Sequence, residues 1–389
     1  MTVVSDNRKQ DLAELKDLKI AIVHEWLVNF AGSERVVEQM LELFPQADVF
    51  SLVDFLPESG RQFIKDKKVH TSFIQKLPFA RKHFRNYFFL FPLAVEGHDL
   101  RGYDLILSSS HMVSKGAIIN QNQLHLSYCH SPCRYAWDLY HQYLEEAGLS
   151  RGLKGFLAQW FLHKLRIWDQ ISTPRVHHFM ANSRYIARRI AHVYRREAEV
   201  VYPPVDVQRF APVEERDDYY LAASRLVPYK KMDLIAEAFA SMPDKKLILL
   251  GSGRAAEEAR VKKWLRPNIE FRKEAEAAEF LKLMSRARAF VFAAEEDFGI
   301  TMAEAQACGT PVIAFAKGGA AEIISDGETG ILFSEQSAES LKIAVEKFEK
   351  DGISGNAESI SESAKRFSKL AFRDNLVKSV AAKWREFKA

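Results

Sequence analysis

The sequence is short of cysteine and of long apolar runs. Only three of its 389 residues are cysteines (Cys129, Cys133 and Cys308), too few for a disulfide framework. The longest apolar run, Tyr87 to Val95, has nine residues and contains a proline, whereas a spanning helix needs about 20 apolar residues. Residues 2–19 are polar and mixed in charge, which predicts no secretory signal. We therefore expect a cytoplasmic protein without a spanning helix.

Several signatures of function are also missing. No G-x-G-x-x-G follows the first predicted strand, Lys19–His24, which argues against a nicotinamide-dependent enzyme. The C-x3-C spacing of Cys129 and Cys133 has no second pair and is poor for zinc, so we expect both thiols to be structural. No helix-turn-helix, zinc-finger or RNA-binding signature is found, so we expect no nucleic-acid partner.

The composition is that of an ordinary globular protein, with 47% hydrophobic and 27% charged residues, so a low-complexity or disordered chain is excluded. Apolar runs of strand type alternate with amphipathic helical stretches, and the pattern restarts after Pro203-Pro204. Such alternation gives parallel sheets covered by helices. The fold class predicted is therefore α/β, with two Rossmann-like domains facing across a cleft. The domains are residues 1–200 and 201–369, and the last helix, 370–389, packs back on the first domain.

The apolar runs place five strands in each half of the chain. The predicted strands are Lys19–His24, Asp48–Val53, Asp104–Ser108, His125–Cys129, Val176–Ala181, Tyr219–Ser224, Lys246–Leu250, Ala289–Ala293, Pro311–Phe315 and Gly330–Phe333. Ligands of such sheets bind beyond the carboxyl ends of the strands, so we expect the functional residues there.

Two glutamates eight positions apart flank a Phe298-Gly299 turn in the segment from Glu296 to Glu304. The segment predicts a loop that enters a helix near Ile300, and a helix N-terminus with its unpaired N–H groups suits a diphosphate. The two carboxylates can accept hydrogen bonds from sugar hydroxyls. A solvated surface helix would explain a lone glutamate pair, but the Gly-Thr-Pro-Val and Gly-Gly-x-x-Glu sequences that follow favour a nucleotide-sugar site.

A second motif, this one basic, follows the predicted strand Tyr219–Ser224. Arg225 and Lys230 lie five positions apart on a loop and can both reach one anion, the arginine as a planar fork and the lysine as a point charge. Two solvated surface cations are the alternative explanation.

The first half offers two weaker candidates. Gly32 opens the first predicted helix, for which Ser33 can serve as the N-cap, and a single glycine there lets backbone approach a phosphate. A plain helix start explains it nearly as well. His130 ends a strand in the block Tyr128–Asp138, among polar and aromatic residues. This position favours a functional histidine over a structural one.

These blocks resemble the retaining, two-domain (GT-B) glycosyltransferases of family four, over roughly residues 19 to 335. The E-x7-E and R-L-x-x-x-K motifs of that family match Glu296–Glu304 and Arg225–Lys230. The Arg-Tyr-x-Trp-Asp within Tyr128–Asp138 looks most like bacterial mannosyltransferases of O-antigen and exopolysaccharide synthesis. The chain departs from the family pattern at Ser224, where glycine is common, at Ala293-Ala294, where proline is usual, and at Phe271-Arg272-Lys273. The last departure leaves the base-contacting residues unassigned.

The resemblance implies transfer of a hexose, with retention, from a nucleoside diphosphate to an acceptor hydroxyl, and the mannosyltransferase block implies GDP-mannose as donor. It makes His130, Arg225, Lys230 and Glu296 the expected catalytic residues. Gly32, Phe298, Gly299, Ile300 and Glu304 join the two cations in donor binding. No D-x-D occurs in the chain, so we expect neither metal nor cofactor. A nicotinamide-dependent enzyme, or a catalytically silent scaffold of the same fold, is the alternative.

Basic residues cluster beside aromatic ones in two segments. Seven cations lie between Lys65 and Arg85, just before Tyr87-Phe-Phe-Leu-Phe91, and Arg151 to Trp168 mixes cations with large apolar residues and has no acid. Such mixtures suit an anionic membrane surface or a lipid phosphate. We therefore expect Arg81, Lys82 and Arg85 to receive a lipid-linked or oligosaccharide acceptor at the inner face of the cytoplasmic membrane. A core filled by the aromatics and a solvated cationic face is the alternative.

Overall fold

The computed structural model describes residues 6–389, so residues 2–5 of the polar N-terminal segment lie outside the described part. Two compact units divide the described chain. The first runs to Pro204 and includes Phe372–Ala389, and the second is Val205–Ala371. Within residues 6–389, no helix is both long and apolar enough to cross a membrane.

The first unit is built on a parallel seven-stranded sheet with strand order β3-β2-β1-β4-β5-β6-β7. Its strands are β1 Ile20–His24, β2 Asp48–Ser51, β3 Val69–Thr71, β4 Leu105–Ser110, β5 Leu124–Cys129, β6 His178–Ala181 and β7 Ala198–Val200. Its helices, in chain order, are α1 Asp6–Leu15, α2 Gly32–Leu43, α3 Ala80–His83, α4 Phe91–Glu96, α5 Tyr140–Glu146, α6 Gly152–Ser172 and α7 Arg184–Tyr194.

The second unit is built on a parallel six-stranded sheet with strand order β10-β9-β8-β11-β12-β13. Its strands are β8 Tyr220–Ala223, β9 Leu247–Leu250, β10 Ile269–Arg272, β11 Phe290–Phe292, β12 Val312–Phe315 and β13 Gly330–Phe333. The helices that follow in the chain are α8 Met232–Ala240, α9 Ala255–Lys262, α10 Ala277–Arg286, α11 Ile300–Ala307, α12 Ala320–Ile323, α13 Ala338–Asp351, α14 Ala357–Ala364 and α15 Lys369–Lys388.

Short 3-10 helices complete the two units. They are Glu58–Gly60, Gln62–Ile64, Phe73–Lys76, Phe84–Leu90, Ser114–Gly116, Thr173–Arg175, Val207–Arg209, Pro228–Lys230 and Lys365–Phe367. The two parallel sheets with their helices confirm the predicted pair of Rossmann-like domains. All ten predicted strands form, most of them shorter by one or two residues at an end, and β3, β7 and β10 are strands that the sequence patterns missed.

Both faces of the first sheet are buried, as parallel sheets require. On β1, Ile20 and Ile22 belong to one hydrophobic core together with residues of α2 and α15. Ala21 and Val23 belong to a second core with residues of α4 and α6. Because successive side chains of a strand point to opposite faces, this strand is apolar on both sides. Polar groups are left to its carboxyl end.

A buried ion pair fastens α6 to the first unit. The Lys115 ammonium lies 3.0 Å from an Asp169 carboxylate oxygen, and both side chains are almost completely buried. The carboxylate also accepts hydrogen bonds from the Trp137 indole (2.7 Å) and the Tyr194 hydroxyl (3.1 Å), while the ammonium donates to the Ser172 hydroxyl at 2.8 Å. Every charge in this cluster therefore has a partner, and loss of one partner would leave the other charge buried alone.

We expect Asp169→Asn to destabilise the first unit by about 3–5 kcal/mol, because the Lys115 ammonium would stay buried without its counter-ion. Urea unfolding followed by tryptophan fluorescence checks this, since Trp137 contacts the pair directly. The matched control is Asp244→Asn, which removes an exposed carboxylate paired with Lys245 and should leave the midpoint unchanged. Equal midpoints for the two variants would contradict the prediction.

Candidate functional site

A chain of hydrogen bonds follows the carboxyl ends of three neighbouring strands in the first unit. His24 is the last residue of β1, Ser109 lies near the end of β4, and His130 follows β5 directly. The Ser109 hydroxyl is 3.1 Å from His24 Nδ1 and 2.8 Å from His130 Nε2. The Ser109 hydroxyl therefore fixes Nε2 of His130, the predicted catalytic histidine. No sequence motif identified this serine.

Glu34, in the first turn of α2, extends this chain of hydrogen bonds. Its carboxylate lies 3.4 Å from His24 Nε2 and accepts hydrogen bonds from the Ala31 N–H and the Ser33 hydroxyl, both at 3.0 Å. Burial raises the pKa of Glu34, but the hydrogen bond and charge of His24 outweigh it, and the net pKa is lowered. Glu34 is therefore an anion that orients the His24 ring.

Ser33 is not the N-cap of α2, so that expectation was wrong. The helix begins at Gly32, and Ala31 is the residue before it. Ser33 is therefore already inside the helix, and its hydroxyl donates to the Glu34 carboxylate instead of capping the backbone. Gly32 itself is the first helical residue, so it lies at the N-terminus of a 12-residue helix where backbone N–H groups are unpaired within the helix.

His130 is held as a neutral imidazole. Burial, followed by the nearby His111 and His24, lowers its pKa well below 6.5. Nε2 bonds to Ser109, the backbone N–H donates to the Ser110 carbonyl, and the carbonyl accepts from Asn182. Among residues 6–389, Nδ1 has no hydrogen-bond partner. A neutral ring with one nitrogen fixed keeps the other for a substrate hydroxyl.

Glu25 is a buried carboxylate that the sequence patterns did not identify as part of a site. Its Oε1 accepts four backbone N–H groups, those of residues 111–114, at 2.7–3.1 Å, and the Ser114 hydroxyl at 3.1 Å. Burial raises its pKa, but the charge of His111 and the backbone hydrogen bonds lower it by more. The one available signal was an acid placed immediately after the last residue of an apolar strand.

In the second unit, the structure brings two predicted site residues together. Lys230 ends the 3-10 helix Pro228–Lys230, and its Nζ is 2.5 Å from Glu296 Oε1. Both side chains are largely buried, with 14% and 16% exposure. Arg225, at the start of the same loop, is exposed, and within residues 6–389 its side chain forms no ion pair or hydrogen bond. One cation is therefore paired with a carboxylate, and the other is open to an anion.

The Phe298-Gly299 turn has the geometry that the sequence predicted. Gly299 has a φ of +94° and precedes α11, which begins at Ile300, and a Cβ at Gly299 would come within 2.2 Å of the Met302 methyl group. Phe298 is buried and packs edge-on against Phe367, with ring centroids 5.2 Å apart. Glu304 lies half-buried in the second turn of α11.

Two further glycines hold this loop by close backbone contact. A Cβ on Gly318 would lie 2.1 Å from the Glu296 carbonyl oxygen, and one on Gly319 would lie 2.0 Å from that of Phe298. The Gly319 N–H donates to the Glu296 carbonyl at 2.8 Å. Any side chain at these positions would displace the loop that carries Glu296. The Gly-Gly sequence is part of the predicted motif, and these close contacts give the physical reason for two glycines there.

The three cysteines are buried thiols. Burial is the main cause that raises the pKa of Cys133 and of Cys308 to about 12. Thiols that stay protonated are poor nucleophiles and poor metal ligands.

The basic segment of the first unit is exposed, but its aromatic part is only partly so. Arg81, Lys82 and Arg85 are exposed, and the Arg85 guanidinium lies over the rings of Phe84 (4.8 Å) and Trp26 (5.6 Å). Of the aromatic run that follows, Phe91 belongs to the core, while Tyr87, Phe88 and Leu90 are partly buried and Phe89 is exposed. The expectation that residues 87–91 form an exposed apolar surface is therefore wrong for four of the five residues, which pack against the core.

Two family matches cover most of the chain. Residues 30–209 match Glycosyltransferase Family 4, and residues 206–369 match Glycosyl transferases group 1. The chain belongs to the family-four glycosyltransferases, and its two parallel-sheet units are the GT-B fold of that class.

Named relatives agree with this membership. D-inositol 3-phosphate glycosyltransferase of Mycobacterium leprae is 29% identical over 227 residues, covering 51% of this chain and 52% of the relative. A GDP-mannose-dependent monoacylated alpha-(1-6)-phosphatidylinositol monomannoside mannosyltransferase of Corynebacterium glutamicum is 30% identical over 179 residues, covering 39% and 47%. The chain thus spans about half the length of the curated relatives it matches.

Solved structures share the fold at low identity. Alr3699/HepE of Anabaena, in complex with UDP and glucose, has a TM-score of 0.67 at 17% identity, covering 94% of this chain and 99% of that one. The lipopolysaccharide outer core galactosyltransferase WaaB has a TM-score of 0.66 at 17% identity, covering 94% and 100%.

We expect Glu25→Gln to lower the stability of the first unit by at least about 2 kcal/mol at neutral pH, because charge-assisted hydrogen bonds to the backbone are lost. The folded-state pKa of Glu25 lies below its ordinary value of 4.5. Its contribution is therefore complete above about pH 4.5 and is lost as the pH falls through the folded-state pKa.

Urea unfolding measured from pH 7 down to pH 3 checks this prediction. The difference between wild type and Glu25→Gln should be largest at pH 7 and should shrink on acidification. A difference that is constant across this range would contradict the assignment of Glu25 as a native-state anion.

Proposed function

We propose that this protein is a retaining glycosyltransferase that moves mannose from GDP-mannose to a lipid-linked or saccharide acceptor in bacterial surface-polysaccharide synthesis. The observation that supports it most is the Lys230–Glu296 pair, 2.5 Å apart, beside the glycine turn that opens α11. A cation for a diphosphate and a carboxylate for a sugar hydroxyl lie there at one loop cluster.

The choice of donor rests on two arguments. The block Tyr128–Asp138 resembles mannosyltransferases, and the Corynebacterium relative is named as GDP-mannose-dependent. The Anabaena neighbour was solved with UDP and with UDP-glucose, so a uridine donor is the second candidate.

The side chains of the second unit would meet the donor phosphates. Arg225 offers a planar fork and Lys230 a compact charge, and together they neutralise the negative charge that develops on the departing diphosphate. The N–H groups at the start of α11, after Gly299, add a positive dipole end. Glu304 would accept from the ribose hydroxyls and Glu296 from the donor sugar. In the first unit, His130 Nδ1 is our candidate for a bond to a sugar hydroxyl.

The configuration at the anomeric carbon is retained because the acceptor hydroxyl attacks the face from which the diphosphate departs. The bond between the anomeric carbon and the phosphate oxygen breaks, a bond to the acceptor oxygen forms, and the acceptor proton passes to the departing phosphate. No side chain in this scheme serves as a covalent nucleophile, and the positive charge comes from protein cations alone, without a metal or other cofactor.

We propose that the first unit receives the acceptor. Arg81, Lys82 and Arg85 form an exposed cationic segment that suits the anionic head of a lipid-linked sugar and an anionic leaflet. We propose peripheral attachment at the inner face of the cytoplasmic membrane, where such an acceptor would be reached.

We expect turnover with GDP-mannose to persist in EDTA, because Arg225 and Lys230 replace a divalent ion. Released GDP and UDP are measured with matched GDP- and UDP-sugars, each with and without chelator. Turnover abolished by EDTA and restored by Mg²⁺ would contradict the metal-independent scheme. Uridine sugars turned over far faster than GDP-mannose would contradict the donor assignment.

We expect Arg225→Ala and Lys230→Ala each to weaken GDP binding roughly ten- to hundredfold, since each charge-assisted contact is worth about 1.5–3 kcal/mol. Glu296→Ala should keep or raise GDP affinity, because Lys230 loses a competing carboxylate, while sugar transfer falls. Calorimetric titration with GDP and turnover assays separate these effects. Arg260→Ala, which removes an exposed arginine on α9, is the control. Unchanged GDP affinity in both cation variants would mean that the phosphates bind elsewhere.

A further inference from the structure

Helix α6 packs into the first unit with only one of its two apolar faces. Leu162 and Leu165 lie in the hydrophobic core, and Asp169 joins the buried ion pair with Lys115. These residues are three to four positions apart and share one side of the helix. A surface helix normally carries polar residues on the opposite side.

The opposite side of α6 is apolar as well. Six large apolar side chains there are between 41% and 76% exposed. Each has another member three, four or seven positions away, so they form one stripe, which we name the outer stripe: Leu153, Phe156, Leu157, Trp160, Ile167 and Ile171. From Leu153 to Ile171 the stripe is about 27 Å long at 1.5 Å per residue. An exposed apolar surface of this length marks an interaction site.

The outer stripe continues onto a neighbouring segment. The Phe161 ring, beside the stripe, lies 5.2 Å from the ring of Phe89 in the 3-10 helix Phe84–Leu90, and Phe89 is itself 43% exposed. The apolar surface is therefore wider than a single helix.

The exposed charges of α6 itself have one sign. Asp169 is the sole acid in the sequence of α6, and it is buried. Lys154 and Lys164 are exposed, and the Lys164 ammonium lies 5.7 Å from the centroid of the Trp160 ring, within the stripe. A lysine that rises from an apolar surface beside a tryptophan is the arrangement found where a helix lies at a lipid–water boundary.

We infer that the outer stripe is a membrane-docking surface whose occupant is an anionic lipid bilayer, with α6 lying in the plane of the interface. Charge complementarity selects this occupant: the lysines of α6, a helix with no exposed acid, attract an anionic leaflet, whereas a second copy of the same face would bring like charges together. The inference deepens the proposed function, since a lipid-linked acceptor lies in a bilayer, but docking itself needs no donor or acceptor.

Vesicle co-sedimentation of the full chain tests the inference. The probes are vesicles of phosphatidylglycerol with phosphatidylcholine, and vesicles of phosphatidylcholine alone. We expect the wild type to bind the anionic vesicles and to be released by salt. The variant Leu153→Ser/Trp160→Ser/Ile171→Ser, and separately Lys154→Glu/Lys164→Glu, should each weaken binding at least about tenfold.

The controls make chemically matched changes on the surface of the second unit. Ile343→Ser removes an apolar side chain that is 56% exposed on α13, and Lys282→Glu/Lys350→Glu reverses two exposed lysines; both should bind as wild type does. All variants should keep their thermal midpoints and their affinity for GDP, so loss of docking is distinguishable from loss of the proposed nucleotide site.

Three outcomes would overturn the inference. One is normal vesicle binding by both α6 variants, including the case in which Arg81→Glu/Lys82→Glu/Arg85→Glu alone abolishes it. The second is a wild-type dimer by light scattering, without lipid, that the serine variant converts to a monomer. The third is quenching by brominated lipids that is unchanged in Trp160→Phe, because Trp160 would then lie outside the bilayer.

Discussion

Burial of both faces of each parallel sheet is the constraint on which the arrangement of this protein depends. A strand such as β1 contributes Ile22 to one core and Val23 to the other, and its polar residue, His24, lies where the strand ends. The carboxyl ends of neighbouring parallel strands meet at one edge, and His24, Ser109 and His130 are gathered there for that reason. The chemistry of the first unit is thus a consequence of how its core is closed.

Charges placed at such an edge are partly desolvated and need partners within the protein. Glu25 obtains them from backbone N–H groups, Glu34 from a histidine and a hydroxyl, and Lys230 from Glu296. The Lys230–Glu296 pair differs from Glu25 and Glu34 because both of its members are expected to contact the substrate. A donor that binds must therefore exchange one ion pair for another, which favours a ligand carrying both a phosphate and a hydroxyl.

The sequence allowed the sheets to be predicted wherever a strand is an apolar run. It failed for β3, β7 and β10, which lie at sheet edges and are only partly buried, because such strands need no continuous apolar sequence. Most predicted strands began one or two residues too early, β2 was extended two residues too far at its end, to Val53, and the end of β4 was placed two residues too early.

The residues of the candidate site also divide into those that the sequence predicts and those that it does not. Glu296, Gly299 and Lys230 were found because they lie in local motifs. Ser109 was not, since its contact with His24 joins residues 85 positions apart and serine carries no signature of its own. The outer stripe of α6 was visible in the sequence as a mixture of basic and apolar residues. Which side of the helix they occupy, and that this side faces outward, depends on the core that takes up the other side.

Helix α15 links the end of the chain to the candidate site in the first unit. Phe372 packs edge-on against Tyr128, with ring centroids 5.8 Å apart, and Tyr128 in turn contacts the His130 ring at 5.1 Å. The second unit is thus an insertion, in chain order, between two parts of the first. During synthesis at about 5–20 residues per second, the first unit waits roughly ten to thirty seconds for Phe372 after Pro204 has been made. Until then Tyr128, the ring in contact with His130, lacks the packing of Phe372, so the N-terminal unit, although translated first, is the one completed last.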